Sequence, residues 1–197
     1  MKIYSYDISH ANKSDFIKWF NGMSEERKEK VIKLAVSHKQ KLKIAADYLC
    51  RKAVSEFCGI RPEQIEFSVT GYGKPYISGF DVHFSISHSG DMVVCAVSDK
   101  ETGIDIEKIR KINPRSSQKF ASESEEKYIN THENGFFKIW TLKEAYFKCI
   151  GTGLGSDIKK VSFDISENGI ICSEKGFNCL FHQIAEGYIC STCEKNN

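Results

Sequence analysis

The segment Gly103-Ile104-Asp105-Ile106-Glu107 sets two carboxylates two residues apart. On a strand both point to one face, while Ile104 and Ile106 point to the other. Carboxylates held that close repel unless a cation lies between them. Mg²⁺ is a hard ion that takes oxygen ligands and keeps water or substrate phosphate oxygens. A solvated strand face with two acids on its wet side fits the same pattern. A second segment, Trp140-Thr141-Leu142-Lys143-Glu144-Ala145-Tyr146-Phe147-Lys148, has helical spacing. It places Trp140, Glu144 and Lys148 on one stripe beside a core stripe of Ile139, Leu142, Tyr146 and Cys149. A Glu four residues before a Lys is also the ordinary helix-stabilising pair.

Two further features could meet an anion. Arg27, Lys28, Lys30, Lys33, Lys39, Lys41 and Lys43 cluster with only Glu29 among them, as a phosphate-binding patch or a solvated helix face would. Ser85-Ile86-Ser87-His88-Ser89-Gly90 is a strand end dense in small donors, although a lone strand-end histidine commonly serves structure. Cys190-Ser191-Thr192-Cys193 has metal-like spacing, but it lacks a second such pair, and strand alternation sends the two thiols to opposite faces, so no zinc site is expected. Gly151-Thr152-Gly153-Leu154-Gly155 follows a helix instead of preceding one and is no dinucleotide fingerprint.

The elements that must position these residues follow from periodicity. An opening strand is expected over residues 2–8. Ser24 can cap a helix whose first turn holds Glu25 and Glu26. A helix over 39–57 carries Leu42, Ala45, Ala46, Leu49, Ala53 and Phe57 at three- and four-residue spacing and ends at Gly59. Strands follow at 65–70, 82–87, 92–98 and 103–107, with a turn at Gly71-Tyr72-Gly73-Lys74-Pro75. Helices are expected around 118–129 and over 136–150. The tail, 161–193, reads as three or four strands broken at Asn168-Gly169, Lys175-Gly176 and Glu186-Gly187. Helices then strands thus occur twice, which predicts an α+β fold of two similar halves, 1–100 and 101–197.

Composition narrows the class. The chain has 197 residues, 28 Lys+Arg against 26 Asp+Glu, 41% hydrophobic residues and only 3 Pro. That excludes disorder, collagen-like repeats and a protein that coats nucleic acid by charge alone. No apolar run approaches the ~18 residues of a membrane span. The charged N-terminus lacks a signal core, and the eight cysteines sit mostly in apolar runs. Free buried thiols in a reducing, cytoplasmic compartment are expected.

Taken together and in this order, the segments resemble the 4'-phosphopantetheinyl transferases, in particular their larger Sfp-type (surfactin-synthetase-activating) branch. The matching pieces are Gly73-Lys74-Pro75, Phe84-Ser85-Ile86-Ser87-His88-Ser89-Gly90 and Gly103-Ile104-Asp105-Ile106-Glu107. They continue with Phe120-Ala121-Ser122-Glu123-Ser124-Glu125, the Trp140–Lys148 segment and Gly151-Thr152-Gly153-Leu154. The resemblance implies a fold of two α/β halves related by a pseudo-two-fold. It implies transfer of the 4'-phosphopantetheine arm of coenzyme A to a serine of an acyl or peptidyl carrier protein, with release of 3',5'-ADP. By the same resemblance Asp105, Glu107 and Glu144 would hold Mg²⁺ (or Mn²⁺), and Glu144 would be the base for the carrier serine. Lys148 would stabilise or protonate the departing phosphate, and Arg27, Lys30, Lys74, Ser87, His88 and Lys148 would contact coenzyme A. Glu125 matches an acid of the family. The N-terminal half would bind phosphates, and the C-terminal half would hold the metal carboxylates and the catalytic helix. The length suggests a monomer carrying both halves of the site, with no nucleic acid or membrane as partner.

This chain departs from the family pattern twice. Phe120-Ala121-Ser122 stands where relatives often show two aromatics before the serine, and Leu42-Lys43 stands where an Arg and a hydroxyl residue are common. Lys41 or Lys43 would then serve the 3'-phosphate. The competing readings are a metal-dependent phosphohydrolase acting on a nucleotide or coenzyme A, and a non-catalytic module whose basic helices hold an acidic partner.

Overall fold

The computed structural model describes residues 1–196. The continuous apolar run at Met92–Ser98 becomes strand β5, buried along its whole length because both of its faces are covered. It is the middle strand of an antiparallel sheet, flanked by β1 (Lys2–Asp7) and β4 (His83–Ser89). Val93, Cys95 and Val97 meet the helical layer, in which α1 (Lys13–Asn21) and α2 (Glu25–Ile32) precede the long α3 (Ser37–Cys58). Met92, Val94 and Ala96 turn the other way and pack on Ile104, Ile106 and Cys190. A short hairpin, β2 (Phe67–Val69) and β3 (Pro75–Ile77), joins α3 to β4.

The same order of elements then recurs. β6 (Thr102–Lys108) leads to α4 (Glu123–Thr131) and α5 (Gly135–Ile150), then to the hairpin β7 (Phe163–Ser166) and β8 (Gly169–Cys172), and finally to β9 (Phe177–His182) and β10 (Tyr188–Lys195). The second sheet runs β6-β10-β9, so in each sheet the last strand lies between the first and the penultimate. Each sheet carries one long helix, which gives the α+β architecture expected.

Local chemistry explains the boundaries. Gly59 ends α3 in the left-handed conformation at φ 68°, which costs glycine nothing. Ser24 stands at the N-cap of α2 without a side-chain hydrogen bond, and Glu25 and Glu26 in the first turn meet the dipole instead. The helix expected at 118–129 divides into a 3-10 turn, Pro114–Lys119, and α4. Ser122 starts the latter through a capping box, its hydroxyl accepting the Glu125 N–H and the Glu125 carboxylate accepting the Ser122 N–H. The strand expected at 65–70 is only three residues long. All eight cysteines are free, and Cys190 and Cys193 lie in different core clusters, as alternation requires.

One seam fixes the halves against each other. The sheets share no backbone ladder, yet β4 and β6 meet along a seam of serine hydroxyls. Ser85 Oγ accepts the Ile104 N–H (3.1 Å), Ser87 Oγ donates to Asp105 (2.6 Å), and Ser89 Oγ donates to Glu107 (2.9 Å) and accepts from the Lys108 N–H (3.1 Å). The constant offset of 18 between the hydroxyl–carboxylate partners means that β4 and β6 run parallel there. On the other side α5 lies directly on β6. A Cβ on Gly103 would stand 1.9 Å from the Ala145 carbonyl oxygen and 2.5 Å from the Cys149 nitrogen. Only glycine permits that approach, and it carries Glu144 and Lys148 to the acids of β6. Among the described residues no helix is long and apolar enough to cross a membrane.

Candidate active site

Strand alternation puts Asp105 and Glu107 on one face of β6, and helical spacing puts Glu144 and Lys148 on the facing stripe of α5. Asp105 is buried. Its Oδ1 accepts both the Ser87 hydroxyl (2.6 Å) and the Lys148 ammonium (2.6 Å), and Lys148 also reaches Ser87 Oγ at 3.0 Å. Its Oδ2 is buried without a partner. Burial pushes the Asp105 carboxyl up, against the opposing pull of Lys148 and Ser87. Glu107 is held by Ser89 and by the Arg110 guanidinium (2.8 Å). Glu144 is pushed up to about 7, first by burial and then by Asp105, with Glu107 adding and Lys148 opposing. A carboxyl poised there can give or take a proton near neutrality.

A metal implied by the family must fit these residues. Among the described residues no three acids, histidines or cysteines form a ready-made cage, and the Lys148 ammonium takes one oxygen of Asp105. The donors are nevertheless the hard oxygens that Mg²⁺ prefers. One of them is an orphaned buried acceptor, and Glu144 is raised as a carboxylate is when countercharge is short. The residues fit.

On the opposite face of β4, Phe84 and Ile86 line a cavity of about 300 Å³ together with Arg27, Lys30, Lys43 and Pro75. His88 follows on that face by alternation. Burial lowers the His88 pKa, and Lys43 and Lys148 lower it further. Lys43 is itself lowered by burial of its ammonium, then by Arg27 and Lys148. Lys43 thus lies within electrostatic reach of Arg27, His88 and Lys148, and this concentration of positive charge favours an anion.

The remaining expected residues divide. Arg27 pairs with buried Asp47, which Arg51 also holds (2.8 Å), and stacks over Phe67. Lys30 is exposed at the cavity and pairs with Glu26 at 2.5 Å. Lys74 points elsewhere: its ammonium donates to the Cys149 carbonyl (2.6 Å) and the Thr102 carbonyl (3.4 Å), closing the C-terminus of α5. Lys41 lies over the Phe16 ring, so of the two candidate lysines Lys43 is the one at the cavity. Glu125 is fully buried and pairs with fully buried Lys143 at 2.9 Å. Lys143 also donates to the Ile158 and Val161 carbonyls, and Glu125 accepts the Phe163 N–H. That network ties α4, α5 and β7 together and does not face the acids. Phe120, the aromatic this chain retains, packs edge-on against Phe136 and Trp140 beside Glu107. Ser89, one of the small donors of the strand end, meets Glu107 and not an outside anion. Arg110, which also fixes Glu107, is no part of the sequence reading, and an Arg three residues after Glu107 is the available signal for it.

Comparison with known proteins bears on both halves. The family profile described as "4'-phosphopantetheinyl transferase, N-terminal" matches residues 3–100, and that of the "4'-phosphopantetheinyl transferase superfamily" matches 101–193. The chain is similar to the 4'-phosphopantetheinyl transferase gsp of Aneurinibacillus migulanus, 31% identical over 88% of this chain and 76% of that protein. A 4'-phosphopantetheinyl transferase of Bacillus subtilis is 32% identical over 88% of this chain and 81% of its own length. The 4'-phosphopantetheinyl transferase Sfp of Bacillus subtilis (strain 168) is 30% identical with the same coverage. With both halves matched and the acids of β6 facing Glu144 and Lys148 of α5, the chain belongs to the 4'-phosphopantetheinyl transferase superfamily, in its Sfp-type branch.

Proposed function

We propose that the protein transfers the 4'-phosphopantetheine group of coenzyme A to a serine hydroxyl of an acyl or peptidyl carrier protein, releasing 3',5'-ADP. The observation that carries this is the placement of a basic cavity and an acidic cluster on opposite faces of β4, with Lys148 on the acidic side within electrostatic reach of Lys43 and His88. A pyrophosphate donor needs both: cations for the nucleotide phosphates, and acids to hold a cation and accept a proton at the point of cleavage. Arg27, Lys30, Lys43 and His88 bind the phosphates. Lys74 joins them only by leaving its two carbonyl partners. Asp105, Glu107 and Glu144 would hold a divalent cation, Mg²⁺ or Mn²⁺, which supplies charge neutralisation at the pyrophosphate when bound. Glu144 takes the proton of the carrier serine, directly or through water, as its position and raised pKa allow. Lys148 turns from Asp105 to the leaving phosphate, and Ser87 holds it in reach of either.

In this reading residues 1–100 supply the phosphate-binding half and 101–197 the carboxylates and catalytic helix, Asn197 lying outside the described residues. One chain carries the whole site and acts as a monomer; light scattering that finds an obligate trimer refutes this. The reaction is tested by intact-mass spectrometry of apo carrier proteins incubated with the protein, coenzyme A and Mg²⁺. A gain of one phosphopantetheine, absent with Glu144→Gln, supports the transfer. Coenzyme A cleaved at full rate without any carrier points instead to the phosphohydrolase.

A further inference from the structure

Three thiols that the transfer chemistry does not use gather under α5. Cys149 closes the helix, and Cys179 and Cys193 stand on β9 and β10; all three are buried in one apolar cluster. Cys179 and Cys193 are direct cross-strand partners, and their sulfurs lie 3.1 Å apart. Directly opposed residues of an antiparallel pair have Cα atoms about 4.5–5.5 Å apart, inside the range a disulfide spans. Cys149 also lies against Cys193, but its thiol donates to the Glu101 carbonyl at 3.1 Å and it stands on α5, so Cys179 is the residue registered directly opposite Cys193. β9 is an edge strand whose only sheet partner is β10, and strands of that kind open at less than the cost of global unfolding.

We propose that Cys179 and Cys193 form an oxidation site, a thiol pair that a two-electron oxidant converts to a cross-strand disulfide stapling the edge strand β9 to β10. With a diazene oxidant such as diamide, one thiol adds across the N=N bond. The second thiolate then attacks that sulfur, forming the S–S bond and expelling the hydrazine, which carries away both hydrogens and both electrons. The staple closes a loop with a sequence separation of 14. It constrains the unfolded chain more than the folded one and leaves the acids of β6 in place.

The test treats the native protein with diamide, then digests it under conditions that trap free thiols. We expect a loss of 2 Da, one linked peptide pair joining Cys179 to Cys193, and a Tm higher by about 5–10 °C. The transfer activity on a carrier protein, where present, stays within twofold. Cys149→Ser should oxidise as the parent does, and Cys193→Ser should not. Eight free thiols after treatment, a link to Cys149, or a link between Cys50 and Cys95 each overturn the proposal. The peptide map of the unaltered protein decides the matter even if a cysteine variant fails to fold.

Discussion

Replacing Glu144 with Gln tests whether the acids of β6 and α5 share a field. In the folded protein this carboxyl titrates at about 7, against 4.5 for the free side chain. An acid raised in this way binds its proton more tightly when folded. Its stabilisation is therefore complete below pH 4.5 and lost as pH climbs through about 7; beyond that the buried charge opposes folding. A displacement of between two and three, at about 1.36 kcal/mol for each tenfold change, is worth roughly 3 kcal/mol. Glu144 keeps one side open to water, and screening there reduces the effect to about 2 kcal/mol. Gln has the same shape and no charge to bury. Without divalent metal, Glu144→Gln should match the parent within about 0.5 kcal/mol near pH 5 and exceed it by about 2 kcal/mol at pH 8. Urea titrations followed by the fluorescence of Trp19 and Trp140, repeated from pH 5 to 8 in EDTA, measure the difference. Adding Mg²⁺ at pH 8 should restore the parent and leave the variant unmoved. Parallel pH curves for the two proteins, or a variant less stable at pH 8, would refute the reasoning.

Other substitutions probe the scaffold. Lys143→Ala strands the fully buried Glu125 carboxylate and should cost about 3–5 kcal/mol in denaturant titrations, whereas the double variant Lys143→Met with Glu125→Leu should recover much of it. Gly103→Ala forces α5 off β6 by more than an ångström; we expect loss of activity together with lowered Tm, and an active, stable Ala variant would contradict the close approach. Ser87→Ala removes a hydroxyl from a buried carboxylate and should cost about 1–3 kcal/mol at pH 7, and less as the pH falls and Asp105, its pKa raised by burial, takes up its proton, as thermal unfolding across that range will show.

What could be read beforehand was what is local. The α5 stripe, the continuous run of β5, a tail of three or four strands (four in the structure) and the pairing of Asp105 with Glu107 on one face all follow from period and turn residues. What depends on distant partners stayed hidden. Lys74 is a phosphate ligand by the family resemblance alone; only tertiary contact brings the carbonyls of Cys149 and Thr102 to it. Glu125 in a polar stretch gave no sign that a lysine 18 residues later would be buried with it. Lys43 could not be separated from Lys41 until α3 was seated on the sheet, although the two-residue offset already sends them to different sides of a helix. The Ser122–Glu125 spacing is itself a capping-box pattern, and it starts α4 at Glu123, five residues later than the expected helix.

The serine seam has a consequence for how the two halves find each other. A backbone ladder is indifferent to side-chain identity and can slide by two residues with every bond remade. The join between β4 and β6 cannot, because Ser87 finds a carboxylate and Ser89 another only in one alignment. Sliding by two in one direction would leave Glu107 facing no hydroxyl, sliding by two in the other would leave Ser89 facing no acid, and sliding by one would offer Ile86 and His88 in place of the serines. Alignment of the two halves is thus written in three hydroxyls and two acids, and the same two acids are the ones proposed to hold the cation. The residues that would carry the chemistry also act as the key that admits only the correct assembly of the chain.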